Sequence, residues 1–234
     1  MTIRLPSLTE AIINDATETA QRYLASAYDS VEAVLRNLDV VREQRRAAGQ
    51  DLRGRLTENE EDLLRAAIVF AGAGLDATLK QLIRDSLPSV LEVSDLADGK
   101  FSAFIKTHIS QADVVDVSRL AAYLASRSPR AELIEAYIAD LTGGSLQSKQ
   151  QVEAVAGALG VDDADLRRRV AGLRTAFQAR NQIAHELDLR SPERHGDRAR
   201  RTRKINDSVG TCHELLESAQ LLINAVTGVV GGDG

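Results

Sequence analysis

The chain has 234 residues, enough to bury one substantial core or two small ones, and its 44% hydrophobic but only 3% aromatic content, with no Trp, is that of packed helices, so an all-α fold is expected. One cysteine, Cys212, excludes an internal disulfide and a Cys-based zinc centre and fits a reducing compartment. The net charge of -5 argues against nucleic-acid binding by the whole surface but leaves room for a local basic patch.

The N-terminal MTIRLPSLTE lacks the apolar stretch of a signal peptide, and no run of about 18 apolar residues is found, so the cytoplasm is the expected location and no membrane partner is expected. Apolar residues at Leu8, Ile12, Ala16, Ala20, Tyr23, Ala27, Val31, Val34, Leu38 and Val41 recur every three or four positions. That spacing predicts one long amphipathic helix over about 7–47, ended by Gly49 and Gly54, so that residues 1–56 form an N-terminal helical unit that either packs on the core or mediates dimerisation. Thr57 and Glu60 have capping-box spacing and start a second helix, expected to run to about Leu87, before Pro88. Its stripe, Leu64, Ile68, Ala71, Leu75, Leu79 and Leu82, is interrupted by Ala71-Gly72-Ala73-Gly74. Two glycines inside a helix cost roughly 1 kcal/mol each relative to Ala, so a close approach by another helix is expected there.

Residues of about 89–161 read as an insert of shorter helices, punctuated by Asp98-Gly99, Ser128-Pro129 and Gly143-Gly144. A third long helix is expected from Asp162 or Asp163 to about Leu189, stopped by Pro192. The stretch from Arg190 to Lys204 then carries seven basic residues against Glu193 and Asp197, a balance of +5. A last helix is expected from about Asn206 to Val230, with residues 231–234 a frayed, disordered glycine-rich tail.

The third long helix carries the chemistry. Its apolar positions Leu166, Val170, Leu173 and Phe177 continue at Ala184 and Leu187 after a gap occupied by Arg180. An arginine in an apolar seam requires a carboxylate or a phosphate, and Asp76, on the glycine-bearing face of the second helix, is the candidate partner. His185 lies five residues on, turned by about 140° from Arg180, whereas Asn181 is about 40° from His185. A site using Arg180 and His185 together needs the reach of the arginine, local unwinding, or a second copy of the helix across a two-fold axis, which would make a homodimer with a composite groove.

Arg180-Asn181-Gln182-Ile183-Ala184-His185 resembles the Arg-x4-His motif of the HEPN superfamily, and the setting of long helices before it and a loop and final helix after it is similar as well. The resemblance covers about 57–230 and looks most like the bacterial RiboL-PSP-type domains. It implies a HEPN-like helical bundle and metal-independent cleavage of RNA without any cofactor. In that role the ribose 2′-OH attacks the adjacent phosphorus, His185 moves the proton, Arg180 holds the phosphate, Asn181 orients the phosphate or His185, and Asp76 fixes Arg180. Arg194, Arg198, Arg200, Arg201, Arg203 and Lys204 would track the RNA backbone. By the same resemblance the expected biology is that of a toxin or antiphage effector acting on tRNA or other RNA, as a homodimer, with a cognate antitoxin or partner protein.

Other readings stay open. The family also contains non-catalytic modules that bind RNA or a partner protein. Arg180 and His185 can equally be a paired structural arginine and a helix-terminal histidine, and the basic stretch a solvated charge run. A second Arg-x4-His, Arg190 to His195, encloses Pro192 and is taken as chance. His108, His195 and His213 show no metal-ligand spacing. Val155 to Arg169 resembles a helix-turn-helix bent at Gly160, but Asp162, Asp163 and Asp165 at the tip would repel DNA phosphates.

Overall fold

The computed structural model describes residues 2–50, 52, 55–110, 121–123, 125–194 and 198–232. It is all-α: α1 (Glu18–Ala47), α2 (Glu58–Val93), α3 (Asp95–Ser110), α4 (Pro129–Thr142), α5 (Lys149–Ala158), α6 (Ala164–Gly172), α7 (Arg174–Glu186) and α8 (Ile205–Gly231), with no sheet among the described residues. Gly54, His195 and the last two tail residues lie outside the described set, while Gly232 caps α8 at φ 79.

Helix α2 is the axis of the bundle and packs most extensively on α1 and α8. Its capping box forms as the spacing predicts, with the Thr57 hydroxyl accepting from Glu60 N and the Glu60 carboxylate accepting from Thr57 N. It does not stop before Pro88. Leu87, Val90 and Leu91 continue the buried stripe, and their burial outweighs the hydrogen bond that proline removes. By length and composition α2 could cross a bilayer, yet half of its most apolar window is covered by the other helices, as befits a central core helix.

The glycine run has the close approaches its cost demands. A Cβ on Gly74 would lie 2.3 Å from Ala27 Cβ on α1, and one on Gly72 would lie 2.9 Å from Arg180 Cγ on α7.

The first helix is shorter than its periodicity suggests. Residues 2–14 form no helix, and over residues 2–6 Ile3 and Leu5 are buried while Thr2, Arg4 and Pro6 are exposed, the alternation of a strand rather than of a helix. This strap is tied by its amides: Ile3 N donates to Asp39 and Leu5 N to Glu32 on α1, and Thr9 N to Glu217 and Ile12 N to Asn224 on α8. Side-chain oxygens on neighbouring helices, three carboxylates and one amide, thus replace the carbonyls a helix would supply. Helix α1 and the strap share one continuous core with α2 and α8, so the N-terminal residues pack on the bundle.

The expected third long helix is two helices. The chain turns at Leu173, and α6 and α7 meet the rest of the bundle separately. Asp163 caps α6 by accepting from the amides of Asp165 and Leu166. Before it, Gly160 at φ 71 turns the chain between α5 and α6, and its missing side chain makes room for Ser94. Asp162 and Asp165 pair with Arg167 and Arg168 on this exposed turn, which therefore presents balanced charge.

Candidate functional site

Helix α7 ends at Glu186, three residues before the expected stop, because Leu187 and Asp188 both adopt left-handed backbone conformations, at φ 51 and φ 59. The turn places the Asp188 carboxylate, which is fully buried, between two guanidiniums. Arg65 Nε on α2 donates to it at 2.8 Å, and Arg203 donates through Nε at 2.9 Å and through Nη2. Burial alone would push the Asp188 carboxyl up, but the hydrogen bonds from Arg203 and Arg65 hold it below its ordinary range. Arg65 is also held by Asp62, Glu61 and the Arg201 carbonyl. Neither Arg65 nor Asp188 is a candidate on sequence grounds. The signal that could have found Arg65 is the one that singles out Arg180: a cation within an apolar stripe, here with Glu61 one turn before it.

This network pins the basic stretch. Leu189 and Arg200 form an antiparallel bridge, with Arg190 N donating to Ala199 O and Arg201 N to Asp188 O. Arg200 pairs with Asp62 at 2.6 Å, Arg201 with Glu186 and the Leu189 carbonyl, and Arg203 with Asp188. Of the six residues expected to track RNA, these three are held by the protein itself. Arg194, Arg198 and Lys204 are exposed.

Arg180 lies at the centre of the opposite side of α7. Its stem rests on the flat surface left by Gly72, and its Nη1 donates to Asn181 Oδ1 at 3.1 Å and meets His185 Nε2 at 3.4 Å. The arginine's length therefore spans the angular gap between positions 180 and 185, and the two residues meet within one chain. A guanidinium only donates, so this contact requires a lone pair on His185 Nε2 and places the imidazole proton on Nδ1. Arg180 occupies that lone pair, and an anion that draws the guanidinium to itself would leave Nε2 open to a donor. Asn181 and His185 are exposed and Arg180 is half-buried, with its Nε enclosed and without a partner.

Asp76 has a different place from the one expected. Its carboxylate accepts from Leu146 N at 2.5 Å and pairs with Lys80 at 2.9 Å, fastening the segment between α4 and α5 to α2. The next residue, Gln147, is buried and donates through Nε2 to the Gly72 carbonyl at 3.2 Å. Gln147 also lines a cleft of about 620 Å³ formed with Lys149, Arg174, Gln178, Asn181 and Gln182. Through Asn181 this cleft opens directly beside the Arg180–His185 pair.

No cluster of His, Cys, Asp and Glu that could hold a metal ion occurs among the described residues. His213 instead meets the Ser7 carbonyl, at 3.3 Å. Buried Cys212 has its thiol pushed up to about 12 by desolvation, far from a reactive thiolate.

Fold and site together define an all-helical protein with a surface Arg–Asn–His cluster beside a polar cleft. No protein-family model, no curated protein and no solved structure matches the chain.

Proposed function

We propose that the protein is a metal-independent endoribonuclease of the HEPN type. The observation that carries this reading is the convergence of Arg180, Asn181 and His185 on one exposed face, with Arg180 seated against Gly72. In the reaction, His185 Nε2 takes the proton of a ribose 2′-OH as the 2′ oxygen bonds to phosphorus. The bond from phosphorus to the 5′ oxygen breaks, and that oxygen takes a proton from solvent water as it leaves, while His185 later returns its own to solvent. Arg180 neutralises the charge that builds on the non-bridging oxygens, and Asn181 holds the arginine in place. The products carry 2′,3′-cyclic phosphate and 5′-hydroxyl ends, and DNA is inert because it lacks the nucleophile.

Arg194, Arg198 and Lys204 supply backbone contacts that weaken with salt. Asp76 acts on the cleft wall rather than on Arg180. A cytoplasmic homodimer acting on tRNA or other RNA, as a toxin or antiphage effector with a cognate antitoxin, remains part of the proposal by family resemblance alone. The test is cleavage of total RNA and tRNA in the presence of EDTA. Wild type should yield cyclic-phosphate ends, and His185→Ala and Arg180→Ala should each lower the rate by about 10²–10⁴ with unchanged helicity. Absence of cleavage by folded wild type would replace this reading with that of a non-catalytic module that binds RNA or a partner protein.

A further inference from the structure

We infer that the open face of α2 is a self-pairing surface that takes a second copy of this chain, with the two α2 helices antiparallel about a two-fold axis passing between Phe70 and Ala73. The inference does not rest on the ribonuclease chemistry.

Helices α1, α7 and α8 pack on α2 and leave one face of it open. That face carries Ala66, Phe70, Ala73 and Ala77 in succession, and Phe70, in the middle of the helix, is 50% exposed. A helix at a protein surface normally turns polar residues outward, so an apolar run of about three turns with an aromatic ring at its centre calls for a cover.

The spacing says what kind of cover. The steps along the run are four, three and four residues, the same read from either end. Turning a copy end for end therefore lays Phe70 on Ala73 of the second copy and Ala66 on its Ala77. Each ring meets a position whose side chain is a single methyl, which lets the two helix axes approach, and the pairing is reciprocal as a two-fold interface requires.

The charges have the opposite symmetry. Glu58 stands eight residues before Ala66 and Arg84 seven after Ala77, so in the antiparallel pair each Glu58 comes beside an Arg84 of the other copy. A parallel pair would set Glu58 on Glu58 and Arg84 on Arg84. Both residues are exposed and neither is paired among the described residues, whereas Asp62 and Lys80 nearer the run already hold Arg65, Arg200 and Asp76 within the chain.

Helix α1 widens the surface. Ala27 lies against Gly74, and α1 runs antiparallel to α2, with Arg45 reaching Glu60. Tyr23, one turn before Ala27 and 47% exposed, therefore falls toward the Ala77 end of the run and adds a second aromatic of the kind concentrated at interfaces.

The test is the mass of the full-length protein by light scattering from low to high micromolar concentration, with urea midpoints measured alongside. Wild type should have twice the 25.3 kDa of one chain. Phe70→Glu, a change at an exposed position, should be monomeric with its urea midpoint little changed. Arg84→Glu and Glu58→Arg should each weaken the dimer about tenfold, and the two reversals in one chain should restore it, because the opposed charges are then exchanged on both sides. Monomeric wild type at every concentration would overturn the inference and leave the face to a partner of different sequence. A dimer that survives Phe70→Glu, that neither single reversal weakens, or that the double reversal fails to restore would overturn it as well, since the copies would then meet elsewhere or in another direction.

Discussion

Two glycines two residues apart on α2, and so on different faces of it, do different work. Gly74 lets α1 approach so closely that an added Cβ would meet Ala27 at 2.3 Å, so Gly74→Ala should cost about 1–3 kcal/mol of stability, measured as a lower urea midpoint. Gly72 faces the stem of Arg180, a flexible side chain that can yield. Gly72→Ala should therefore leave the urea midpoint much closer to wild type while lowering RNA cleavage, since the guanidinium moves away from His185. Asp188 carries a pH prediction. Burial opposes its ionisation, but Arg203 and Arg65 hold its carboxyl below the ordinary value of 3.8, so its contribution is fully present above about pH 4 and is lost as pH falls through the depressed folded value. Glu60 has the same sign: burial opposes its ionisation, and the Thr57 amide and Arg45 override it. Urea midpoints should therefore fall steeply below pH 4. Asp188→Asn, which leaves two arginines facing a neutral group, should lower stability at pH 7 by about 3–5 kcal/mol and flatten part of that acid limb.

At the scale of elements, what could be read from the sequence divides by the range of the interaction that decides it. The capping box of α2 and the span of α8 rest on neighbours within a few positions, and both were legible. The reason for the Gly72–Gly74 run was legible too, because the cost of two glycines is local even though the helices that use them are distant. The strap was not. Ile3 and Leu5 continue no helical stripe, and the groups that hold their amides, Asp39 and Glu32, are 36 and 27 residues away. Nor was the break at Leu173, since α6 and α7 both continue the apolar period on either side of it. In the site, Arg180 and His185 could be named, but Asp76 could not be given its partner, because the amide it holds belongs to a glycine-rich connection with no periodicity of its own. The strap gives the prediction for this scale. Leu5→Ala should cost about 2–5 kcal/mol, as for a core leucine, whereas a loose tail would show almost no change in thermal or urea unfolding.

For the whole molecule, α2 is about 54 Å long at 1.5 Å per residue over 36 residues, and each functional feature is fastened to it. Its first turns hold the Arg65 network that pins the residues around the Leu189–Arg200 bridge, its middle seats Arg180 and Gln147, and its last turns pack on the inserted helices. The arrangement also bears on how copies of the chain would cooperate. Arg180 and His185 meet at 3.4 Å within one chain, so a mixture of Arg180→Ala and His185→Ala proteins should recover no cleavage. Recovery on mixing, together with a dimer mass by light scattering, would mean instead that the working pair is formed across two subunits.

The strap adds a consequence for the order in which the protein is made. Ile3 and Leu5 find their partners on α1 within the first forty or so residues, but Thr9 and Ile12 wait for Glu217 and Asn224, 208 and 212 positions later. Since synthesis proceeds from the N-terminus, this segment is anchored at one end early and left unfastened at the other until α8 has emerged from the ribosome. The closing of that last seam then joins two parts of the chain made 208 or more residues apart, and a nascent chain stalled before residue 217 should be cut by protease within residues 8–14 while finished protein resists.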